Sequence, residues 1–156
     1  MAELRPPGLD ELGLLAALTE HARRLAGVSG FLITVRGAGE MPRLPPATEI
    51  TLFRIAQEAL INVAKHARAS AAAIALEADA ERVILTVSDN GSGFDPAARF
   101  TEAIPHLGMA SMRERAEAIG GQLRVESTPG GGTRVIVEAP RVPRPPWLPP
   151  PLTLHR

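Results

Sequence analysis

Apolar residues recur along the chain with two different periods, and each period predicts one kind of element. Three stretches carry them three and four residues apart, the spacing of a helix with one apolar face: 6–27, 49–69 and 108–121. Five shorter stretches alternate apolar and polar positions and are rich in β-branched residues: 30–37, 72–78, 82–89, 122–128 and 133–140. Such alternation predicts strands with one buried face.

Cap and turn residues set the expected bounds of these elements. Thr48 is expected to cap the long central helix, and Gly27 to end the first one. The last helix should stop at the Gly120–Gly121 pair. Two hairpins are expected to turn at Asp79–Glu81 and at Pro129–Gly132.

Hairpins pair their strands antiparallel, which argues against a doubly wound parallel sheet. The expected fold is α+β: a two-layer sandwich with one mixed sheet of about five strands and about three helices on one face. The segment 91–107 has no strong period and is expected to form a loop. The folded domain should occupy residues 1–140. Residues 141–156 are proline-rich, which predicts an extended, mostly disordered tail.

Composition narrows the class of protein. The chain has 156 residues, of which 45% are apolar, and 17 basic residues balance 17 acidic ones. A zero formal charge argues against a nucleic-acid-binding face as the main function. There is no cysteine, so disulfides and thiolate metal sites are excluded, and we expect a cytoplasmic location. No apolar run approaches the roughly 18 residues of a membrane span, and no secretion signal is visible at the N-terminus.

The segment DNGSGF, residues 89–94, follows directly on a predicted strand. An Asn-Gly pair alone would make a tight turn, but the second glycine suggests that something must approach the backbone closely. A calcium loop needs oxygen ligands at alternate positions and an acid at the twelfth, which here is Phe100. A phosphate loop of the G-x-x-x-x-G-K-[ST] type is absent.

The central helix carries a polar stripe opposite its apolar face. Glu58, Asn62 and Lys65 fall within roughly 60° of one another at helical spacing, and His66 and Ile55 lie beside them. This stripe is either an ordinary solvated face or one wall of a site. Asparagine is a poor helix former, and an amide oxygen suits Mg²⁺. The stripe therefore fits an anionic ligand with a metal ion.

Four segments resemble, in order and spacing, the conserved boxes of one family. EALINVAKH resembles the N-box of the sensor histidine kinases, and DNGSGF, HLGMASMRERA and GGGTRV resemble their three glycine boxes. The likeness runs from about residue 9 to residue 140. GLDELGLLAAL and MRERA resemble the subfamily that dimerises through a short two-helix bundle and acts on response regulators with helix-turn-helix output. The resemblance implies the Bergerat ATP-binding fold, shared with heat-shock chaperone, gyrase and mismatch-repair ATPases.

The resemblance also implies which residues hold the base of ATP. Asp89 would accept a hydrogen bond from the adenine amino group, and Thr133 would help to hold the ring through a shared water. Gly91 and Gly93 would let the backbone pass close to the base and open a mobile lid.

The phosphate side is implied in the same way. Asn62 would ligate Mg²⁺ between the phosphates, and Glu58 would act as general base or orient the nucleophile. Lys65 and His66 would approach phosphate or ribose. Gly108 would begin a helix whose N-terminal amides face the phosphates.

The second glycine box departs from the family pattern at two positions. His106 replaces its first glycine and is expected to be solvent-exposed. Met109, part of the expected nucleotide-binding set, stands where leucine is more common, which is a mild exchange.

A phosphoacceptor histidine followed by an acid is missing: His21, for example, precedes alanine and is expected at the surface. We therefore expect the catalytic part of a longer kinase, monomeric and weakly active alone, with a membrane anchor left open for the whole protein. Its expected partners are ATP, a dimerisation domain carrying the histidine, and a response regulator, without direct contact to nucleic acid or membrane. Two alternatives stay open: a serine kinase of the anti-sigma type, and a non-catalytic module that senses nucleotide.

Overall fold

The computed structural model describes residues 5–37, 41–95 and 108–142, together with Trp147 and Pro149. Most of the expected tail, most of the expected loop at 91–107 and His106 lie outside these residues. The elements in chain order are α1 (Leu9–Leu12), α2 (Leu14–Ser29), β1 (Leu32–Gly37), α3 (Pro46–Asn62), a π-helical turn (Val63–Ala67), β2 (Ala71–Ala78), β3 (Arg82–Asp89), α4 (Met109–Ala118), β4 (Gln122–Ser127) and β5 (Thr133–Pro140).

The strands form one mixed sheet in the order β1-β2-β3-β5-β4. β1 runs parallel to β2, and every other neighbouring pair is antiparallel, including the two expected hairpins β2–β3 and β4–β5. The expected α+β fold with five strands is therefore confirmed. A parallel pair requires a crossover, and α3 supplies it between β1 and β2.

One face of the sheet is covered by helices. Along β3, Val83, Leu85 and Val87 are buried, and the alternate side chains are more exposed. β2 and β5 show the same alternation, and α2, α3 and α4 pack in the same layer. Asp89 shares the parity of the buried β3 residues, so its side chain lies on the helix-covered face. Among the described residues, none of the helices has the length and apolar character that crossing a membrane requires.

The long helix α3 differs from the sequence expectation at both ends. It begins at Pro46, and Thr48 is a buried residue of its first turn, without a cap hydrogen bond. Proline is favoured there because the first helical N–H has no intrahelical partner. Ile55, expected beside the polar stripe, is fully buried in the core. A wider turn at residues 63–67 shifts the angular position of the side chains that follow it.

The first predicted helix is two helices. Gly13, with φ of 91°, separates α1 from α2, and α2 continues past Gly27 to Ser29. Gly30 ends it in the left-handed region, with its N–H bonded to the Ala26 carbonyl. The expected end at Gly27 was wrong because a later glycine supplies the same cap.

Alanine at Gly27 and at Gly30 should shift stability in opposite directions. A Cβ at Gly27 meets nothing within 4 Å, so Gly27→Ala should raise the free energy of unfolding by about 0.5–1 kcal/mol. Gly30 has φ of 78°, so Gly30→Ala should lower it by about 1 kcal/mol. Urea denaturation measures both. A loss of stability for Gly27→Ala would place the end of α2 where the sequence suggested.

His21, on α2, is half-buried against α3 rather than fully exposed at the surface. Its ring packs edge-on against Phe53, with 5.4 Å between the ring centroids. Its Nε2 is buried and has no hydrogen-bond partner among the described residues. Burial, and then the positive charges of Arg24 and Arg54, lower the pKa of the imidazole.

This lowered pKa predicts an acid-sensitive contribution to stability. The unfolded state binds the imidazole proton more readily, so the free energy of unfolding should decrease as the pH falls below about 6.5. His21→Leu should flatten the slope of unfolding free energy against pH between about pH 5 and pH 7. Equilibrium denaturation across that range measures the slope. An unchanged slope would mean that other groups carry the pH dependence.

Candidate active site

A pocket open to solvent on one side lies between the end of α3 and the neighbouring ends of β3 and β5. Asp89 and Thr133 face each other across the last register position of the β3–β5 pair. Asn62 closes α3 on the opposite side. The residues that line the pocket are Ala59, Asn62, Val63, His66, Ala67, Val87, Asp89, Ser92, Gly93, Phe94, Met109, Thr133 and Val135.

Asp89 is a half-buried carboxylate with one oxygen already engaged. Its Oδ1 accepts a hydrogen bond from the Gly91 N–H at 2.8 Å, and Thr133 also contributes a backbone hydrogen bond. Burial raises the pKa of Asp89, and these two hydrogen bonds partly oppose the rise. The carboxylate is therefore fixed in orientation and still has acceptor capacity toward the pocket.

Thr133 is oriented by a serine that the sequence did not single out. Ser127 Oγ lies 2.9 Å from Thr133 Oγ1, accepts the Phe94 N–H at 2.8 Å and donates to the Gly132 carbonyl at 2.8 Å. Since the single Ser127 hydroxyl proton goes to Gly132, Thr133 donates to Ser127. The oxygen of Thr133 is left as an acceptor at the pocket wall. Ser127 lies directly opposite Thr133 in the β4–β5 hairpin, and this cross-strand position could have identified it from the sequence.

The two glycines of DNGSGF pack against neighbouring backbone, which explains their lack of side chains. A Cβ at Gly91 would overlap the Ala67 carbonyl at the end of the π-helical turn. Gly93 has φ of 63°, and a Cβ there would overlap the Thr128 carbonyl in the β4–β5 hairpin. Gly93 lines the pocket, whereas Gly91 is buried directly behind it.

The polar stripe of α3 is divided between two places. Asn62 and His66 line the pocket, while Lys65 is exposed and lies outside its lining. Glu58 lies against the start of α4: its Oε1 is 2.5 Å from the position that a Cβ of Gly108 would take. Gly108 is the N-cap of α4, with φ of 64° and no side-chain cap bond. Glu58 and Gly108 thus share one end of α4, next to the pocket residue Met109.

The apolar wall of the pocket was not predicted as such. Its main members share inward-facing positions of β3, β5, α3 and the π-helical turn: Ala59, Val63, Val87 and Val135. Val87 and Val135 stand two residues from Asp89 and Thr133 on the same strands, so the alternation of the strands could have identified them. An apolar slot with few polar groups is typical of a small-molecule site.

The described residues contain no cluster of three or more His, Asp or Glu side chains able to hold a metal ion by themselves. Asn62 lines the pocket and has an amide oxygen of the kind that Mg²⁺ accepts as a ligand. Mg²⁺ usually takes few protein ligands and completes its shell with water and the phosphates of its ligand. The donor set here fits that mode and does not fit a metal site built from protein alone.

Residues 47–143 match the family described as histidine kinase-, DNA gyrase B- and HSP90-like ATPase. This range contains the pocket and every expected site residue.

Curated relatives include two DegS signal transduction histidine-protein kinase/phosphatases. The one from Brevibacillus brevis is 33% identical over 138 residues, which is 88% of this chain and 35% of the relative. The one from Bacillus subtilis is 33% identical over 139 residues, with 87% and 36% covered. The sensor histidine kinase MctS of Rhizobium johnstonii is 38% identical over 131 residues, with 84% and 28% covered. The chain thus spans about a third of the length of these relatives.

Solved structures share the fold. The histidine kinase domain of the blue-light activated histidine kinase EL346 from Erythrobacter litoralis has a TM-score of 0.66 at 22% identity, covering 90% of this chain and 66% of that one. A second structure of that kinase gives 0.63 at 24% identity, with 82% and 42% covered. The chain therefore belongs to the histidine kinase-, DNA gyrase B- and HSP90-like ATPase family, and it is an ATP-binding domain of the sensor histidine kinase type.

Proposed function

We propose that this chain binds Mg-ATP in the pocket described above and transfers the γ-phosphoryl group to a histidine on the dimerisation domain of a two-component kinase. The observation that carries the proposal is the placement of Asp89 and Asn62 on one apolar pocket. Mg-ATP needs a contact at each of its two ends. A carboxylate can accept a hydrogen bond from the exocyclic amine of adenine, and an amide oxygen can ligate Mg²⁺.

The base of ATP is assigned to the strand side of the pocket. Asp89 accepts a hydrogen bond from the adenine amino group, and the hydroxyl oxygen of Thr133 accepts one from a bridging water. Val87, Val135 and Met109 contact the ring faces as part of the apolar lining. Gly93 brings the backbone close to the ring because it has no side chain.

The phosphates are assigned to the helix side. Bound Mg²⁺ would neutralise charge on the phosphates, and Asn62 is the residue proposed to hold it. The free amides at the start of α4, after Gly108, favour an anion. His66 lies in the lining and is assigned to ribose or phosphate, and the exposed Lys65 to the phosphates from outside the pocket.

Glu58 is proposed either to accept the proton of the phosphoacceptor histidine or to orient that histidine. Its carboxylate lies beside Gly108, where the phosphate-binding amides begin. Positioning and charge stabilisation provide most of the catalysis in phosphoryl transfer, so the base is worth less than the binding contacts.

Glu58→Ala should leave ATP affinity within about twofold and slow phosphoryl transfer roughly 100-fold, within the range of general base catalysis. Calorimetry measures the affinity, and radiolabel transfer measures the rate. Glu117→Ala, on the exposed face of α4, is the matched control. If ATP affinity collapsed in Glu58→Ala, the base role would be wrong and Glu58 would be part of the binding site.

The partners proposed for the whole protein are a dimerisation domain carrying the histidine and a response regulator with helix-turn-helix output, in the cytoplasm. The isolated chain is proposed to be a monomer that labels no residue of its own. The direct test mixes it with Mg-[γ-³²P]ATP and a separately prepared dimerisation domain. Acid-labile label on that histidine supports the proposal. Acid-stable label on serine of an anti-anti-sigma protein would replace it with the serine kinase, and nucleotide binding with no acceptor labelled would favour the sensing module.

A further inference from the structure

Asn90 is the member of DNGSGF that faces away from the pocket. It is exposed and absent from the pocket lining. Its Oδ1 accepts the N–H groups of Ser70 and Ala71, each at 3.0 Å, and its Nδ2 donates to Ser70 Oγ at 2.9 Å. Its own N–H donates to the Ala71 carbonyl at 3.2 Å. Every hydrogen-bonding group of this side chain is therefore directed at the segment that connects the π-helical turn to β2.

Further contacts join the same two segments on the pocket side of Asn90. The Ser92 N–H donates to the Ala67 carbonyl at 2.7 Å, and Gly91 packs against Ala67 without room for a Cβ. Arg68, the residue between these contacts, holds φ of 52°, the only positive value of a described non-glycine residue. Such a conformation persists only where neighbouring contacts fix it. The bonds of Asn90 and Ser92 are those contacts.

We propose that Asn90 is a positioning residue for nucleotide binding: it fixes the end of β3, with Asp89, relative to the end of α3, with Asn62 and His66. This inference rests on the function proposed above, because it assumes that Asp89 and Asn62 contact opposite ends of one ligand.

Asn90 acts on the Asp89 carboxylate through the backbone amide of Gly91. Gly91 lies between two residues that are both bonded to the 67–71 segment, so the direction of its N–H is set by Asn90 and Ser92. That N–H donates to Asp89 Oδ1 and thereby orients the carboxylate. When the Asn90 side chain is removed, Asp89 can still accept hydrogen bonds, but its distance from α3 is no longer fixed.

Removal of the Asn90 side chain should weaken ligand binding more than it weakens the fold. The Ser70 and Ala71 N–H groups lie at an exposed site, so water can replace the lost Asn90 oxygen and the fold should lose little stability. Ligand affinity is more sensitive, because a loosened site must be reordered each time that ligand binds. A displacement of about 1 Å at a reacting centre can cost far more than the hydrogen bond that prevented it.

Asp79 provides a matched control at the other end of the same two strands. Its Oδ1 accepts the N–H groups of Glu81 and Arg82, each at 2.8 Å, in the exposed β2–β3 turn. Asp79→Ala and Asn90→Ala therefore each remove one side-chain oxygen that accepts two backbone N–H groups. Only the oxygen removed in Asn90→Ala connects the two segments that form the walls of the pocket.

The experiment measures ATP affinity by calorimetry and urea stability for Asn90→Ala, Asp79→Ala, Ser70→Ala and Asn90→Asp, with Asp89→Asn as a marker of the adenine contact. We expect ATP to bind about tenfold more weakly to Asn90→Ala and within twofold of the parent for Asp79→Ala and Ser70→Ala, in line with the sensitivity of affinity to preorganisation. Asn90→Asp keeps the oxygen acceptor and should recover affinity, most completely at high salt, where its added charge is screened.

The outcomes distinguish the inference from the proposed function. If Asp89→Asn loses affinity while Asn90→Ala keeps it, the positioning role is overturned and the adenine assignment stands. If Asn90→Ala and Asp79→Ala lose equal affinity, the effect belongs to stability alone and the positioning role is again overturned. If Asp89→Asn keeps its affinity, the adenine assignment within the proposed function fails, and the inference, which depends on the position of Asp89, fails with it.

Discussion

Asp89→Asn should reduce the affinity for ATP at least about 100-fold while leaving the protein folded. The carboxylate has only acceptors, and one oxygen is already committed to the Gly91 N–H. An asparagine that keeps this bond through its oxygen must turn its NH₂ group toward the adenine amino group. Two donors then face each other, and a buried donor left without a partner costs about 1–3 kcal/mol, in addition to the hydrogen bond that is lost.

Protein stability should not fall with this change, which separates it from a general loss of folding. Burial raises the pKa of Asp89, so ionisation of this carboxyl is disfavoured where it lies. A neutral amide of the same shape avoids that cost and can keep the bond to Gly91. Calorimetric titration with ATP measures the affinity, and urea denaturation checks the fold. Unchanged affinity in a folded Asp89→Asn protein would remove the adenine assignment.

The residues of this site could be predicted from the sequence because they lie at strand and helix ends. Asp89 ends β3 and Thr133 begins β5, so the alternation of these strands sets the face on which each side chain lies. Their alignment with each other depends on the pairing of β3 with β5. Asn62 ends α3, and His66 follows four residues later in the π-helical turn; both side chains line the pocket. The family resemblance identified Asp89 and Thr133 as candidates, whereas helical periodicity alone grouped Asn62 with His66.

The features that were missed depend on contacts between segments distant in sequence. The π-helical turn at 63–67 follows no periodic signal, and it leaves Lys65 outside the pocket lining that holds Asn62 and His66. Ile55 fell on the polar side of a regular wheel, yet it packs in the core because α3 is covered by α2 as well as by the sheet. The function of Asn90 required knowledge that residues 70–71 lie beside residue 90.

The parallel pairing of β1 with β2 also exceeds what alternation can predict. Both strands show a half-buried pattern, and that pattern is compatible with either direction. The length of α3 between them decides, because a crossover helix is long enough for a parallel connection. This crossover brings the C-terminal end of α3 close to the end of the central strand β3, and the pocket forms between them.

Gly93→Ala should destabilise the protein by about 2–5 kcal/mol, whereas Gly130→Ala should cost only about 1 kcal/mol. Both residues have positive φ, 63° and 79°, so alanine meets similar backbone strain at each. A Cβ at Gly130 meets nothing within 4 Å, but a Cβ at Gly93 would overlap the backbone carbonyls of Thr128 and Gly132. The difference between the two variants therefore measures the close approach of DNGSGF to the β4–β5 hairpin.

This close approach also shapes the nucleotide site, so the two variants should differ in ATP binding. Relief of the overlap must move either Gly93, which lines the pocket, or the hairpin that leads into Thr133. Each movement changes the part of the pocket wall that Gly93 and Thr133 form, so ATP affinity should fall together with stability in Gly93→Ala while Gly130→Ala keeps its affinity. Urea denaturation and calorimetry on both variants measure the two effects. Equal losses of stability in the two variants would show that backbone strain alone requires a glycine at position 93, and that the hairpin does not hold the first glycine box in place.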